Sequence, residues 1–189
     1  MVLEIGCGEN PITEETPDVL HNKVNIRLDA VRLSPVDVVG VTVALPFRSD
    51  SLDGIVCQHV IEHHSHRSFG GDADGGTLLE FLCEVHRVLK PGGFFESICP
   101  NLAFIAKGYV QRGSTDPTYA TQLMQWLMGG QRDQWDFHYV ALDANILAMW
   151  AAKAGFNIEN NFRLLHPFDW FGLHIEMIKG NLVPYWYHP

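Results

Sequence analysis

Leu3-Glu4-Ile5-Gly6-Cys7-Gly8 is the stretch on which the fold turns. The apolar run Val2 to Ile5 breaks into two glycines, which reads as a strand delivering the chain into a tight turn. Without side chains, Gly6 and Gly8 let backbone N–H groups approach an anionic part of a ligand. Lys23 to Leu28 reads as a second strand ending at Asp29, about 20 residues on, where a carboxylate can accept hydrogen bonds from ribose hydroxyls. A turn and an acid so placed point to a cofactor containing a nucleoside. Pro11 stands where the dinucleotide fingerprint has its third glycine, which counts against a nicotinamide or flavin dinucleotide and against a dehydrogenase on this sheet.

Outward from that unit the chain alternates strands and helices. Pro11 and Pro17 leave room for only a short, irregular helix around 13–20. Val36 to Val41 predicts a third strand and Leu52 to Cys57 a fourth. A His-rich stretch to His66 and a Gly-rich loop from Phe69 to Gly76 follow. Leu78, Leu79, Leu82, Val85, Val88 and Leu89 recur at helical spacing behind a capping Thr77, and Lys90-Pro91-Gly92-Gly93 stops that helix before a strand at Phe94 to Ile98. The segment 101–139 reads as an insertion beside the active face, with a helix from Tyr119 to Met128. Leu142 to Ala154 predicts another helix, and 158–164 with 173–179 an antiparallel edge hairpin. The expectation is one α/β domain over 1–189: a Rossmann-like, doubly wound, mainly parallel sheet, trimmed at its N-terminal end.

Composition narrows the function. At 189 residues, 47% of them hydrophobic and 19% charged, the chain is sized and composed as a globular domain. No apolar run reaches the roughly 20 residues of a membrane span. The opening residues lack a basic region leading into an apolar stretch, so no signal peptide and a cytoplasmic location are expected. Four cysteines without CxxC spacing argue for reduced thiols rather than a disulfide or zinc framework. A net charge of −9 disfavours bulk nucleic acid as substrate, since such binding rests on many Lys and Arg contacts.

Further motifs follow in order: Ala44-Leu45-Pro46-Phe47 before Ser51-Leu52-Asp53, Val60-Ile61-Glu62-His63, Val85-His86-Arg87-Val88-Leu89-Lys90-Pro91-Gly92-Gly93, and Ala151-Ala152-Lys153-Ala154-Gly155-Phe156. With the opening glycine turn, they resemble the successive motifs of class I S-adenosylmethionine (SAM)-dependent methyltransferases, most closely the broad type 11 group. The resemblance covers nearly the whole chain. It implies SAM as methyl donor and S-adenosylhomocysteine as product. It implies further that Gly6, Cys7 and Gly8 line the methionine part, with Glu4 orienting the turn or receiving the ammonium. Asp29 would hold the ribose, Leu45 would pack near the adenine, and Gln58 and His59 would flank the cofactor. The acid that commonly precedes the Ala-Leu-Pro-Phe segment in this family is replaced here by Val41-Thr42-Val43, so adenine recognition falls to backbone groups and Thr42.

Methyl transfer demands alignment and exclusion of water, and a base is needed only where the acceptor must shed a proton. His138 is the first candidate for that proton and His59 the second. Tyr109, Trp126, Trp135 and Tyr139 are candidates to wall an acceptor pocket. His59, His63, His64 and His66, with Asp72 and Asp74, lack the HExxH order and the calcium-loop glutamate, so no metal is expected there. Gln58-His59-Val60-Ile61 replaces the Asn/Asp-Pro-Pro-aromatic tetrapeptide of nucleic-acid amino methyltransferases, and Cys99-Pro100 reads as an ordinary turn. The expected activity is methylation of oxygen or nitrogen on a small molecule. A catalytically silent SAM-binding or interaction domain is the alternative, and the tail Tyr185-Trp186-Tyr187-His188 is the candidate surface for a homodimer.

Overall fold

The computed structural model describes residues 1–9, 24–66, 76–132, 135–165 and 171–180. The expected 13–20 helix, Pro11 and the 185–188 tail lie outside the described residues, as does the Gly-rich loop up to residue 75. Among the described residues seven strands form one sheet: β1 (Val2–Ile5), β2 (Val24–Asp29), β3 (Val38–Val39), β4 (Leu52–Gln58), β5 (Leu89–Pro100), β6 (Phe162–Leu164) and β7 (Gly172–Ile178). Their order is β3-β2-β1-β4-β5-β7-β6. Strands β1 to β5 pair in parallel, whereas β7 runs antiparallel to both β5 and β6. The Rossmann-like sheet with antiparallel C-terminal strands is therefore as the sequence led us to expect.

All four residues of β1 are buried, and so are five of the seven in β4. These central strands have both faces covered, which is why they read as apolar runs rather than alternating patterns. The helix α1 (Leu78–Val88) lays Leu78, Phe81, Leu82, Val85 and Val88 on the core. Its start is fixed by a capping box. The Thr77 hydroxyl accepts the Glu80 N–H at 3.1 Å, and the Thr77 N–H donates to Glu80 Oε2 at 2.8 Å. Two otherwise orphaned donors are satisfied reciprocally.

Several boundaries differ from expectation. Strand β3 has two residues rather than six, because only Leu28 and Asp29 of β2 pair with it, at Val38 and Val39. Strand β5 begins at Leu89, directly where α1 ends, and runs twelve residues. The 158–164 segment is not strand throughout: Asn157 accepts the Glu159 N–H at 3.2 Å and caps a short helix α5 (Ile158–Asn161), leaving Phe162–Leu164 to pair with β7. The 101–139 segment carries more helix than Tyr119 to Met128. Asn101 caps α2 (Leu102–Gly108) through its side chain and the Ala103 N–H, a π turn (Tyr109–Gly113) follows, and Asp116 caps α3 (Pro117–Met128). Asp143 likewise caps α4 (Ala144–Lys153).

Replacing an N-cap threonine by alanine costs about 1 kcal/mol. Thr77→Ala should therefore lower the thermal midpoint by about 2–4 °C, with scanning calorimetry as the check; an unchanged midpoint would show that the cap adds nothing to α1.

Candidate functional site

In an open parallel sheet, ligands bind beyond the carboxyl ends of the strands where the winding reverses. Here that point lies between β1 and β4. A cleft of about 210 Å³ opens there, lined among others by Ile5, Gly6, Asp29, Thr42, His59 and Val60. Gly6 leaves β1 at φ 69°, and its N–H donates to the Leu28 carbonyl at 2.8 Å. A Cβ at Gly6 would collide with the Val60 side chain. Only glycine suits both the left-handed backbone and that contact. Asp29 is held by the turn it faces: Oδ2 accepts the Gly8 N–H at 2.9 Å and Oδ1 the Val31 N–H at 3.0 Å. A carboxylate offers about four acceptor sites, so each oxygen keeps capacity for a ligand hydroxyl.

Thr42 also lines the cleft, with its Oγ1 2.7 Å from His64 Nε2. His64 is buried, stacks on Phe81 with ring centroids 4.4 Å apart, and has its pKa lowered to about 4 by burial. A neutral ring whose Nδ1–H faces the Ile61 carbonyl, at 3.4 Å, presents Nε2 as an acceptor. The Thr42 hydroxyl thus donates inward and keeps its own lone pairs for the cleft.

The 3-10 turn Ile61–His63 follows β4 and carries the most unusual chemistry. Glu62 is 2% exposed. Its Oε1 accepts from His59 Nδ1 at 3.0 Å, while Oε2 is buried with no hydrogen-bond partner. Glu62 also anchors the far end of the 101–139 segment, since its carbonyl accepts the Tyr139 and Val140 N–H groups at 2.8 and 3.3 Å. His63 Nδ1 donates to the Phe137 carbonyl at 2.8 Å, and His138 Nδ1 to the Trp126 carbonyl at 3.0 Å. The two rings meet edge to face, 4.9 Å apart. His59 has a left-handed backbone, φ 54°, a conformation that non-glycine residues rarely adopt away from functional or turn positions. Burial pulls the His59 pKa down, but the hydrogen bond and charge of Glu62 outweigh it and leave it raised above 6.5. Burial lowers the His138 pKa despite the Glu62 charge.

Of the residues singled out from sequence, Gly6, Asp29, Thr42 and His59 line the cleft together, and Trp135 joins them from the 101–139 segment. Glu4 is buried beneath the turn, with Oε2 3.2 Å from Arg27 Nε. Cys7 is buried and its thiol is pushed up to about 11, first by burial and then by the Glu4 and Asp29 charges. Leu45 does not reach the cleft: its side chain is in the core, and its N–H and carbonyl are held by Glu84 and Arg87 of α1 at 2.8 and 3.0 Å. Neither Gln58 nor His138 lines the cleft; His138 meets Glu62 instead, Nε2 4.0 Å from Oε1. Tyr109 and Tyr139 are exposed and do not line the cleft, and Trp126 packs between Phe104 and Phe171. The adjacent histidines part company, His64 turning into the core and His63 toward His138. The chemistry of Glu62 has one signal in the sequence, a glutamate amid histidines directly after an apolar strand.

A methyltransferase-domain family model matches residues 3–96, from the glycine turn through most of β5. Comparison with curated proteins returned no match. Among solved structures, a Thermotoga maritima SAM-dependent methyltransferase, described as a possible histamine N-methyltransferase, is similar with TM-score 0.58 and 16% identity over 94% of this chain and 81% of that one. The complex between the Haloferax volcanii Trm112 methyltransferase activator and the putative methyltransferase gives a TM-score of 0.56 and 12% identity, covering 96% of this chain and 82% of that one. Human N-acetylserotonin methyltransferase in complex with SAM gives 0.57 and 16%, covering 95% of this chain and 47% of that one. Residues 3–96 thus match a methyltransferase domain, and the sheet order is that of the Rossmann-like fold shared with the SAM-dependent methyltransferases above. Among the described residues, no helix is long and apolar enough to cross a membrane.

The buried histidines make stability depend on pH. His64 and His86 both have folded pKa values lowered by burial from 6.5 to about 4. Between those values the unfolded chain binds protons that the folded one refuses, so their stabilisation is complete above pH 6.5 and is lost as pH falls toward 4. His59, shifted the other way, opposes this in part. The His64 share is on the order of 3 kcal/mol. Urea unfolding at pH 7.5 and pH 5 should show a lower midpoint at pH 5, and His64→Phe should flatten the difference; an equal slope in that variant would remove His64 from the account.

Proposed function

We propose that the cleft beyond β1, β2 and β4 binds SAM and that the enzyme methylates an oxygen or nitrogen of a small-molecule acceptor. The observation that carries the cofactor assignment is the Asp29 carboxylate, clamped by the N–H groups of Gly8 and Val31 beside a turn that excludes any side chain at Gly6. The donor set fits the cofactor. Acceptor oxygens on Asp29 suit ribose hydroxyls. The free lone pairs of Thr42 suit an amino group, in place of the acid this family commonly has there. Ile5, Leu28, Val41 and Val60 supply apolar wall. Gly6 and Gly8 would present backbone to the methionine end, with Glu4 and Cys7 supporting the turn from below. When bound, SAM supplies an electrophilic methyl group on a sulfonium.

The chain's own part is to align the acceptor, keep water out and take up any proton the acceptor sheds. Both candidate histidines are near Glu62, and the geometry favours His59. It lines the cleft and its Nδ1–H is committed to Glu62, which leaves Nε2 as the proton acceptor. A base oriented by a buried carboxylate follows the logic of a catalytic triad without its nucleophile. His138, enclosed behind Glu62, serves better as a fixed partner of that carboxylate. Burial raises the thiols of Cys57 and Cys99 well above their ordinary value, which supports oxygen and nitrogen chemistry over a cysteine nucleophile. The net charge of −9 supports a small acceptor over bulk nucleic acid. The free cysteines, three of them buried, fit a reducing compartment, and we take the cytoplasm as the site of action.

Titration calorimetry with S-adenosylhomocysteine should show binding that Asp29→Ala weakens at least about tenfold, equivalent to about 1.4 kcal/mol. Gly6→Ala should abolish it. Against a panel of small hydroxyl and amine acceptors, His59→Ala should cut turnover by about 100-fold or more while changing cofactor affinity far less. No binding to the intact protein would overturn the cofactor assignment, and full turnover in His59→Ala would overturn the proton acceptor.

A further inference from the structure

The turn after β4 gathers more ligating atoms than methyl transfer requires. Glu62, His63 and His138 each offer one ligand atom, and these atoms all lie within 4.8 Å of one another. Three observations distinguish this from an accidental meeting of polar groups. The Glu62 carboxylate is almost fully enclosed, and Oε2 has no hydrogen-bond partner. A lone buried acceptor of this kind is costly unless something positive meets it. Both imidazoles also have their other nitrogen committed to a backbone carbonyl, His63 to Phe137 and His138 to Trp126, at 2.8 and 3.0 Å. A carbonyl accepts only N–H, so Nδ1 is protonated in each ring and Nε2 carries the lone pair. That is the outer-shell arrangement which fixes tautomer and ring orientation in metal-binding histidines. Finally, the same carboxylate faces His138, whose Nε2 lies 4.0 Å from the oxygen that accepts from His59.

We propose that Glu62, His63 and His138 form a binding site for one divalent transition-metal ion, of the zinc, manganese or cobalt type, at the rear of the cofactor cleft. Two imidazoles and one carboxylate suit these ions better than calcium or magnesium, which prefer oxygen ligands throughout. Around a tetrahedral ion with bonds near 2.1 Å, ligand atoms lie about 3.4 Å apart. The present separations, up to 4.8 Å, would shorten to that when an ion binds. Three protein ligands leave at least one coordination position open, as in catalytic rather than structural sites.

The open position has a use that rests on the methyltransferase reading. His59 and His63 both line the cleft, so an acceptor oxygen bound to the ion would lie next to the proposed proton acceptor. Coordination lowers the pKa of a hydroxyl. The O–H proton would pass to His59 Nε2, and the acceptor oxygen would use the electron pair it keeps to bond the methyl carbon as the carbon–sulfur bond of SAM breaks, its pair going to the sulfur of S-adenosylhomocysteine. The site therefore selects acceptors that present a hydroxyl oxygen to the metal. It also ties Glu62 and His63, on the turn after β4, to His138 at the end of the 101–139 segment.

The test uses the full chain, stripped with a chelator and dialysed. Titration with Co²⁺ should give the visible absorption of a low-coordinate ion at one equivalent, and Zn²⁺ should displace it. Glu62→Gln and His138→Asn, each shown folded by circular dichroism, should weaken binding by roughly 100-fold, whereas His66→Ala, at an exposed position, should leave it unchanged. Cobalt binding that is absent, that survives both ligand variants, or that is lost equally in His66→Ala would overturn the proposal. Titrating the same stripped protein with S-adenosylhomocysteine separates the two readings. Cofactor binding without metal binding sinks only the metal site, and metal binding without cofactor binding sinks only the assignment of the cleft.

Discussion

A four-residue strand, β1, hydrogen-bonded in parallel on both edges, sets the position of everything that matters here. Its register places Ile5 beside Leu28 of β2 and Cys57 of β4, so three strands end level with one another. The turn at Gly6, the carboxylate of Asp29 and the histidine-bearing turn after β4 then face one space. A one-residue slip would send each of these side chains to the wrong face of the sheet. Neither neighbour tolerates that slip, because both faces of β1 are covered.

Within that frame, several groups are placed by contacts between backbone and side chain. Asp29 is fixed by two N–H groups, His63 and His138 by two carbonyls, and Leu45 by side chains reaching from α1. Preorganisation of this kind suits a reaction that depends on alignment. The same kind of contact holds Leu45, close to the cofactor motifs in sequence, in the core rather than in the lining of the cleft. The pairing of Arg87 with the Phe47 and Leu45 carbonyls, at 2.9 and 3.0 Å, draws that segment down onto α1.

The fold was legible because its signals are local. A strand running into glycines, an acid after the next strand and a capped amphipathic helix each declare themselves within a few residues. Boundaries are less legible where a short polar cap starts the element: Asn101 and Asn157 each start a helix that apolar periodicity alone does not reveal, since α2 and α5 are only seven and four residues long. The site was legible in half. Gly6, Asp29, Thr42 and His59 are brought together as their positions after strands suggested. The meeting of Glu62 and His63 with His138, some 75 residues on, depends on how the 101–139 segment folds back. What holds it there is the pair of N–H groups of Tyr139 and Val140 on one carbonyl, a contact with no sequence signature.

Strand β7 comes late in the described chain yet lies inside the sheet, between β5 and β6, contributing partners from Pro100 to Phe94 along β5. During synthesis the parallel half can assemble early, but the outer edge of β5 stays bare until residues through Ile178 have left the ribosome. That edge belongs to a twelve-residue strand with a largely apolar run at its end, the kind of surface that recruits a foreign strand. Chains interrupted before β7 should therefore be the form of this protein most in need of a chaperone.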